Sequence, residues 1–407
     1  MDNKKLEFGA SDNISTSNAV NNMAFSKDGE IHQVKFHGVA GEYFKIWIVN
    51  ILLSILTLGI YSAWATVRRR RYFYGNTEIN GDRFDYHATP MQILVGRIIV
   101  VISLFVLMIL SVISPLLYVA ALLLFICAIP WIIVRAWRFD AIMSSFRGVR
   151  FNYECHYGRA YWVMFLFPMI AFIALYLVFG AFIGISHAMG GFTFAILGGI
   201  LFFAGILVIQ GIIQKMSTEL FINNSFFGDN RFQTSVESKP FMKFFFIGLL
   251  IMLPFLLLAI YFVFSLISSI IFMGSGPEAI EYAMLGHLSG LISAYFLVIA
   301  GMIVSSCYLA AAIRNYTFSK MQLNKIGFIS KMETLSYMGL LFTNLLIVMF
   351  TLGLGAPIAH IRHAKYIAEC TQLCGDLSLI DVSAHQDTAK SGIADEVAQA
   401  FDLNVGL

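Results

Sequence analysis

His360 and His363 stand one helical turn apart, with Cys370 and Cys374 beyond them. These are metal-ligand residue types on helix-compatible spacing. Cys-x3-Cys is an uncommon zinc knuckle and no second ligand pair lies nearby, so no metal and no cofactor is expected. These four residues are the candidates should there be one. The run Arg68-Arg69-Arg70-Arg71, followed by Tyr72-Phe73-Tyr74, suits anionic lipid head groups, each basic residue near such a surface contributing about 1 kcal/mol. The same run also suits a topology anchor with an aromatic belt. Asn50 and Asn344 lie inside apolar stretches, where an amide must find a partner. One reading makes Asn50, Thr57, Gly59, Asn344, Thr351 and Gly353 the lining of a cavity beside broken helices, as in transporters. The other makes them contacts that hold helices together.

Other chemistry is missing from the chain. No P-loop, nucleophile elbow or HExxH motif occurs. The central thirds of the long apolar stretches hold no Asp, Glu, Lys, Arg or His, the residues that ion-coupled carriers place there. The expectation is a protein that is not an enzyme.

The elements that must position these residues are membrane helices. Of 407 residues 58% are hydrophobic and 13% charged, against about 25% charged in a soluble domain. A crossing helix needs about 20 mostly apolar residues. Six stretches qualify: Ile93–Ile113, Pro115–Val134, Tyr161–Ser186, Phe192–Ile213, Phe244–Met273 and Leu288–Ile313. They form three hairpins, joined at Ser114-Pro115, near His187–Gly191 and across Gly274–His287. The connecting segments around 65–92, 135–160, 213–243 and 312–335 are rich in Lys and Arg, whereas the hairpin tips have none. The positive-inside rule makes the basic segments cytoplasmic. The five cysteines show no disulfide framework and read as reduced thiols.

Two further apolar stretches, Ile46–Val67 and Tyr337–Ile358, are interrupted by glycine and have basic residues at both ends. Spanning would put both termini in the periplasm; re-entry would put every basic flank on one side. The two match each other. Asn50 and Thr57-Leu58-Gly59 align without gaps on Asn344 and Thr351-Leu352-Gly353, and in the same register Arg68 meets Arg362 and Tyr72 meets Tyr366. This predicts internal pseudo-symmetry, with Asn50 and Asn344 facing one cavity across a two-fold axis. A second recurrence runs through the basic segments: Asn80-Gly81-Asp82-Arg83-Phe84, Arg147-Gly148-Val149-Arg150-Phe151 and Gly228-Asp229-Asn230-Arg231-Phe232, with a fainter copy ending at Phe328. Asn-Gly between β-prone runs signals a hairpin, so each copy is read as a small cytoplasmic β-hairpin.

Phe36-His37-Gly38, Gly41-Glu42-Tyr43-Phe44-Lys45-Ile46-Trp47, the segment Leu58–Trp64, the run Arg68–Tyr72 and Arg83-Phe84 with Tyr86 resemble the YjgN-like family of bacterial inner-membrane proteins. That family is classed as a domain of unknown function. The resemblance covers roughly residues 33–375 and implies a multi-pass inner-membrane location; it brings no reaction, ligand or catalytic residue.

The expected fold is an all-α polytopic membrane protein: six transmembrane helices in three hairpins, two Gly-broken spanning or re-entrant segments, and short cytoplasmic β-hairpins. Residues 1–35 are read as a disordered polar tail, 36–375 as one membrane domain and 376–407 as a polar, mildly acidic tail. The expected function is transport or passage of an uncharged or amphipathic solute, lipid-like solutes included. The alternative is a non-enzymatic scaffold or envelope-stress component that binds partners through its hairpins. Membrane lipids are the expected partners, and nucleic acid is not, because the basic segments flank helices.

Overall fold

The computed structural model describes residues 30–273 and 276–376; the assigned tails otherwise lie outside them. The order strand, helix, helix, strand occurs five times along the chain. The first segment is β1 (Ile31–Phe36), α1 (Ala40–Leu56), α2 (Ser62–Gly75) and β2 (Thr77–Ile79). The second is β3 (Asp82–Tyr86), α3 (Pro90–Ile113), α4 (Pro115–Met143) and β4 (Ser144–Phe146). The third is β5 (Val149–Tyr153), α5 (Tyr157–Ala188, with a π-helical turn at Trp162–Leu166), α6 (Thr193–Ile222) and β6 (Ser225–Phe227). The fourth is β7 (Asn230–Thr234), α7 (Ser238–Met273), a tip helix α8 (Pro277–Gly286), α9 (Leu288–Lys320) and β8 (Met321–Leu323). The fifth is β9 (Ile326–Ser330), α10 (Thr334–Phe350), α11 (Ala356–Glu369) and β10 (Thr371–Cys374).

The strands correct the all-α expectation. The short hairpins do not stand alone: they pair edge to edge into one closed antiparallel barrel of ten strands, in which β10 pairs with β1. An isolated two-stranded hairpin is marginal in water, and closure leaves no edge unpaired. β1 starts at Ile31, inside the stretch read as a tail. It carries no Asn-Gly signal because its hairpin partner, β10, comes from the other end of the chain.

Within each segment the two strands pair in one register. Val34 faces Ile79, Phe84 faces Phe146, Phe151 faces Phe227, Phe232 faces Leu323 and Phe328 faces Leu373. These ten side chains fill the barrel as one apolar cluster, joined by Phe36, Val149 and Ile326. Eight strands already enclose a space that side chains can fill; ten enclose more, and phenylalanine is large enough to close it. Where the turn needs positive φ at both central residues, Asn80-Gly81 and Arg147-Gly148 supply it, with φ of 51°, 89°, 52° and 78°.

The first helix of every segment leaves the barrel at the same interval after its strand. These helices then run 17, 24, 32, 36 and 17 residues. Among the described residues, six helices are long and apolar enough to cross a membrane: α3, α4, α5, α6, α7 and α9. The helices of the first and fifth segments, at 17 and 14 residues, are not among them. Each of these segments turns back, and both its ends join the barrel. The two Gly-broken stretches are therefore short helical hairpins.

Candidate functional site

The second helices of the five segments, α2, α4, α6, α9 and α11, surround a cavity of about 740 Å³, within the usual range of ligand pockets. Every segment contributes. Phe73 comes from α2 and Trp137 from α4; Gln214, Ser217, Thr218 and Phe221 come from α6; Ala310, Ile313, Arg314 and Thr317 from α9; His363, Ala364 and Ile367 from α11. Met332 and Tyr337 complete the wall. Phe73 stacks on Phe36 and Trp137 packs edge-on against Tyr153. Both partners are the last residues of barrel strands, so the cavity opens above the helix-side end of the barrel, and the aromatic core closes it below.

The lining is amphipathic, with aromatic and aliphatic walls and a polar set from α6, α9 and α11. Arg314 is its cation. One guanidinium nitrogen donates to Thr371 Oγ1 at 2.9 Å, and the group lies 4.4 Å from the Phe318 ring centre. Its Nε is buried without a hydrogen-bond partner, as are Thr317 Oγ1 and Ser330 Oγ. Burial, with the nearby Arg314 charge, lowers the pKa of the His363 imidazole below its usual value, favouring the neutral ring at pH 7.

The run Arg68–Arg71 does not form one patch, because successive helical residues point about 100° apart. Arg68 and Arg71 are exposed. Arg70 forms an ion pair with Asp140 of α4 and donates to the Tyr86 hydroxyl at 2.8 Å. Burial pushes the Tyr86 phenol up to about 12. Arg71 donates to the carbonyls of Tyr86 and Ala88. Arg69 lines a second, smaller cavity of about 260 Å³ with Tyr43, Asn50, Thr66, Arg97 and His360.

That smaller cavity contains Asn50, whose Oδ1 is buried and unbonded. Asn344 is bonded inside its own hairpin instead, accepting from Arg362 at 2.9 Å and donating to the Ala359 carbonyl at 3.3 Å. The two amides have different surroundings: Asn50 lines the smaller cavity, and Asn344 is held by Arg362 and the Ala359 carbonyl. Thr57, Gly59, Thr351 and Gly353 shape the hairpin tips. The Thr57 hydroxyl donates to the Leu53 carbonyl and accepts from the Tyr61 amide; that of Thr351 donates to Ile347 and accepts from Gly355. Gly59 and Gly353 have φ of 91° and 92°, after Leu58 and Leu352 at 51° and 50°. The left-handed pair reverses the chain, and glycine removes the Cβ penalty there.

His360 and His363 part company: His360 lies against the Tyr43 hydroxyl and lines the smaller cavity, while His363 lines the larger. Cys374 is buried on β10. No group of three or more metal-ligand side chains forms among the described residues. Arg314 was missed by sequence reasoning. Its signal was register: it precedes Leu323 by the same interval at which Arg70 precedes Ile79.

A family model described as "Bacterial protein of unknown function (DUF898)" matches residues 31–400. The chain is 32% identical over 372 residues to a Salmonella typhimurium protein named "Inner membrane protein YjgN", covering 89% of this chain and 94% of that one. It is 29% identical over 379 residues to a protein of the same name from Escherichia coli K12, covering 90% and 95%. No solved structure matches.

Proposed function

This chain belongs to the DUF898 family of bacterial proteins, and on that premise we propose that it is a multi-pass inner-membrane protein that takes an amphipathic solute from the bilayer into its central cavity and lets it pass, without catalysing a reaction. The observation that carries this reading is the cavity itself, walled by all five segments, mostly apolar with a polar set on one side. The barrel core blocks a straight path along the axis, so the solute enters and leaves between helices.

In this reading the barrel and its basic flanks are cytoplasmic, by the positive-inside rule. The hairpins of the first and fifth segments are re-entrant: Leu58 and Leu352 at their tips are 95% and 93% exposed, a placement that suits hydrocarbon. The internal repeat is five-fold and cyclic, not two-fold. The shared strand register supports this, as does a hydroxyl contact between Tyr72, Tyr316 or Tyr366 and the residue before the first helix of its own segment.

Filling the cavity tests the proposal. Protein purified in mild detergent should retain bound amphiphile on mass spectrometry of its extract, and Ala310→Trp with Ala364→Trp should lose it while remaining folded. Equal retention by the filled variant would refute the reading. It would favour a non-transporting scaffold, which the plugged barrel and its outward strand faces would also suit.

A further inference from the structure

Arg70 and Arg314 occupy the same place in the first and fourth segments, each the same interval before an inward-facing strand residue, Ile79 and Leu323. Arg70 is neutralised by the next segment along the chain, through Asp140. The residue of the fifth segment that corresponds to Asp140 is Ile367, which lies the same interval before Leu373 as Asp140 does before Phe146. Arg314 consequently forms no ion pair with a described Asp or Glu. Tyr86, whose hydroxyl accepts from Arg70, corresponds to Ser330, whose hydroxyl is buried and unbonded.

We propose that Arg314 binds the anionic head group of an acyl-chain amphiphile, and that this group takes the position against Arg314 that the Asp140 carboxylate takes against Arg70. The inference rests on the cavity reading above and adds the ligand's charge and the residue that selects it. A half-buried guanidinium with no carboxylate partner is costly unless an anion supplies one. Thr317 Oγ1, also unbonded in the cavity wall, and the Gln214, Ser217 and Thr218 side chains offer further hydrogen bonds to phosphate or carboxylate oxygens. Trp137, Phe221 and Ile313 provide the apolar wall for the chain. The chemistry of the guanidinium admits a phospholipid or a fatty acid alike, since both present an anionic oxygen group on an acyl chain.

The full chain with Trp137 as its sole tryptophan, the other four replaced by Phe, reports occupancy through quenching by brominated lipids in nanodiscs. Dibrominated phosphatidylglycerol or dibromostearate should quench Trp137 at a mole fraction about tenfold lower than dibrominated phosphatidylcholine, the effect of one charge-assisted hydrogen bond. Arg314→Gln should remove that preference while leaving quenching by phosphatidylcholine in place, and Arg314→Lys should restore part of it. Ile367→Asp, which gives Arg314 an internal carboxylate as Asp140 does for Arg70, should also remove it, independently of how well Arg314→Gln folds. A preference for anionic lipid that survives both Arg314→Gln and Ile367→Asp overturns the assignment. Relief of the anionic-lipid quenching by millimolar inorganic phosphate assigns the site to a free anion and overturns the lipid source. Equal quenching by anionic and zwitterionic lipid in the parent overturns the head-group inference alone. No quenching by any brominated lipid overturns the cavity reading beneath it.

Discussion

Arg70 of α2 and Asp140 of α4 join the first two segments through an ion pair, in which the arginine side chain is 12% and the carboxylate side chain 31% exposed. Asp140→Leu should lower stability by about 2 kcal/mol, because it leaves a desolvated guanidinium without its charged partner. Adding Arg70→Met should recover much of the loss, since an apolar pair in place of a buried ion pair is often neutral. Thermal unfolding of the purified variants in one detergent measures both; a double variant no more stable than the single would contradict the account.

The barrel core makes a second prediction. Phe227 is 4% exposed and packs against Phe151 and Phe146. Phe227→Ala should cost about 3–5 kcal/mol, read as a fall in unfolding temperature or in the yield of monodisperse protein. A wild-type melting curve would mean that the barrel is not a packed plug.

The hairpin tips can be separated from the cavity by mutation. An added Cβ at Gly59 or Gly353 meets no atom within 4 Å, so Gly59→Ala and Gly353→Ala should each cost about 1 kcal/mol through the backbone alone. Thr57→Val should cost about the same, by removing the hydroxyl between the Leu53 carbonyl and the Tyr61 amide. None of the three should change the amphiphile retained on purification. A selective loss of bound amphiphile at unchanged stability would return these residues to the cavity.

Sidedness and depth are open to labelling in a cysteine-free background. Cysteine at Asn80, in a barrel turn, should react with an impermeant thiol reagent only from the cytoplasmic side, and cysteine at Met189, in a tip between long helices, only from the periplasmic side. A spin label at Leu58 or Leu352 should relax with oxygen rather than with a water-soluble nickel chelate. Nickel accessibility at both tips would place the short hairpins outside the hydrocarbon.

Much of this architecture was legible in the chain. Apolar runs and the distribution of Arg and Lys revealed the six long helices, and Asn80-Gly81 with its copies revealed four of the five β-hairpins. The fifth was hidden because β1 and β10 lie at opposite ends of the chain, so no local turn links them. Closure of the barrel was hidden too, since strands of three to six residues carry too few alternating positions to show a second paired edge. Thr-Leu-Gly was correctly read as a break, but its side-chain bonds run within one turn of backbone rather than into a cavity. The matched Asn50 and Asn344 marked equivalent hairpins, not a shared space, because two neighbours around a ring place the same residue in separate surroundings. Arg314 lay unremarked among basic residues that topology already explained; only its alignment with Arg70, and of Ile367 with Asp140, distinguishes it.

The central claim is that the cavity around Arg314 holds an amphiphile from the bilayer while the barrel beneath stays closed. A high-resolution electron cryo-microscopy map of the full chain in native-lipid nanodiscs tests it most directly. The account predicts elongated non-protein density with its head at Arg314 and its chain between Trp137 and Phe221, above a barrel closed by Phe84, Phe151 and Phe227. A cavity collapsed onto its own side chains, or a water-filled path running down the barrel axis past those phenylalanines, would contradict it.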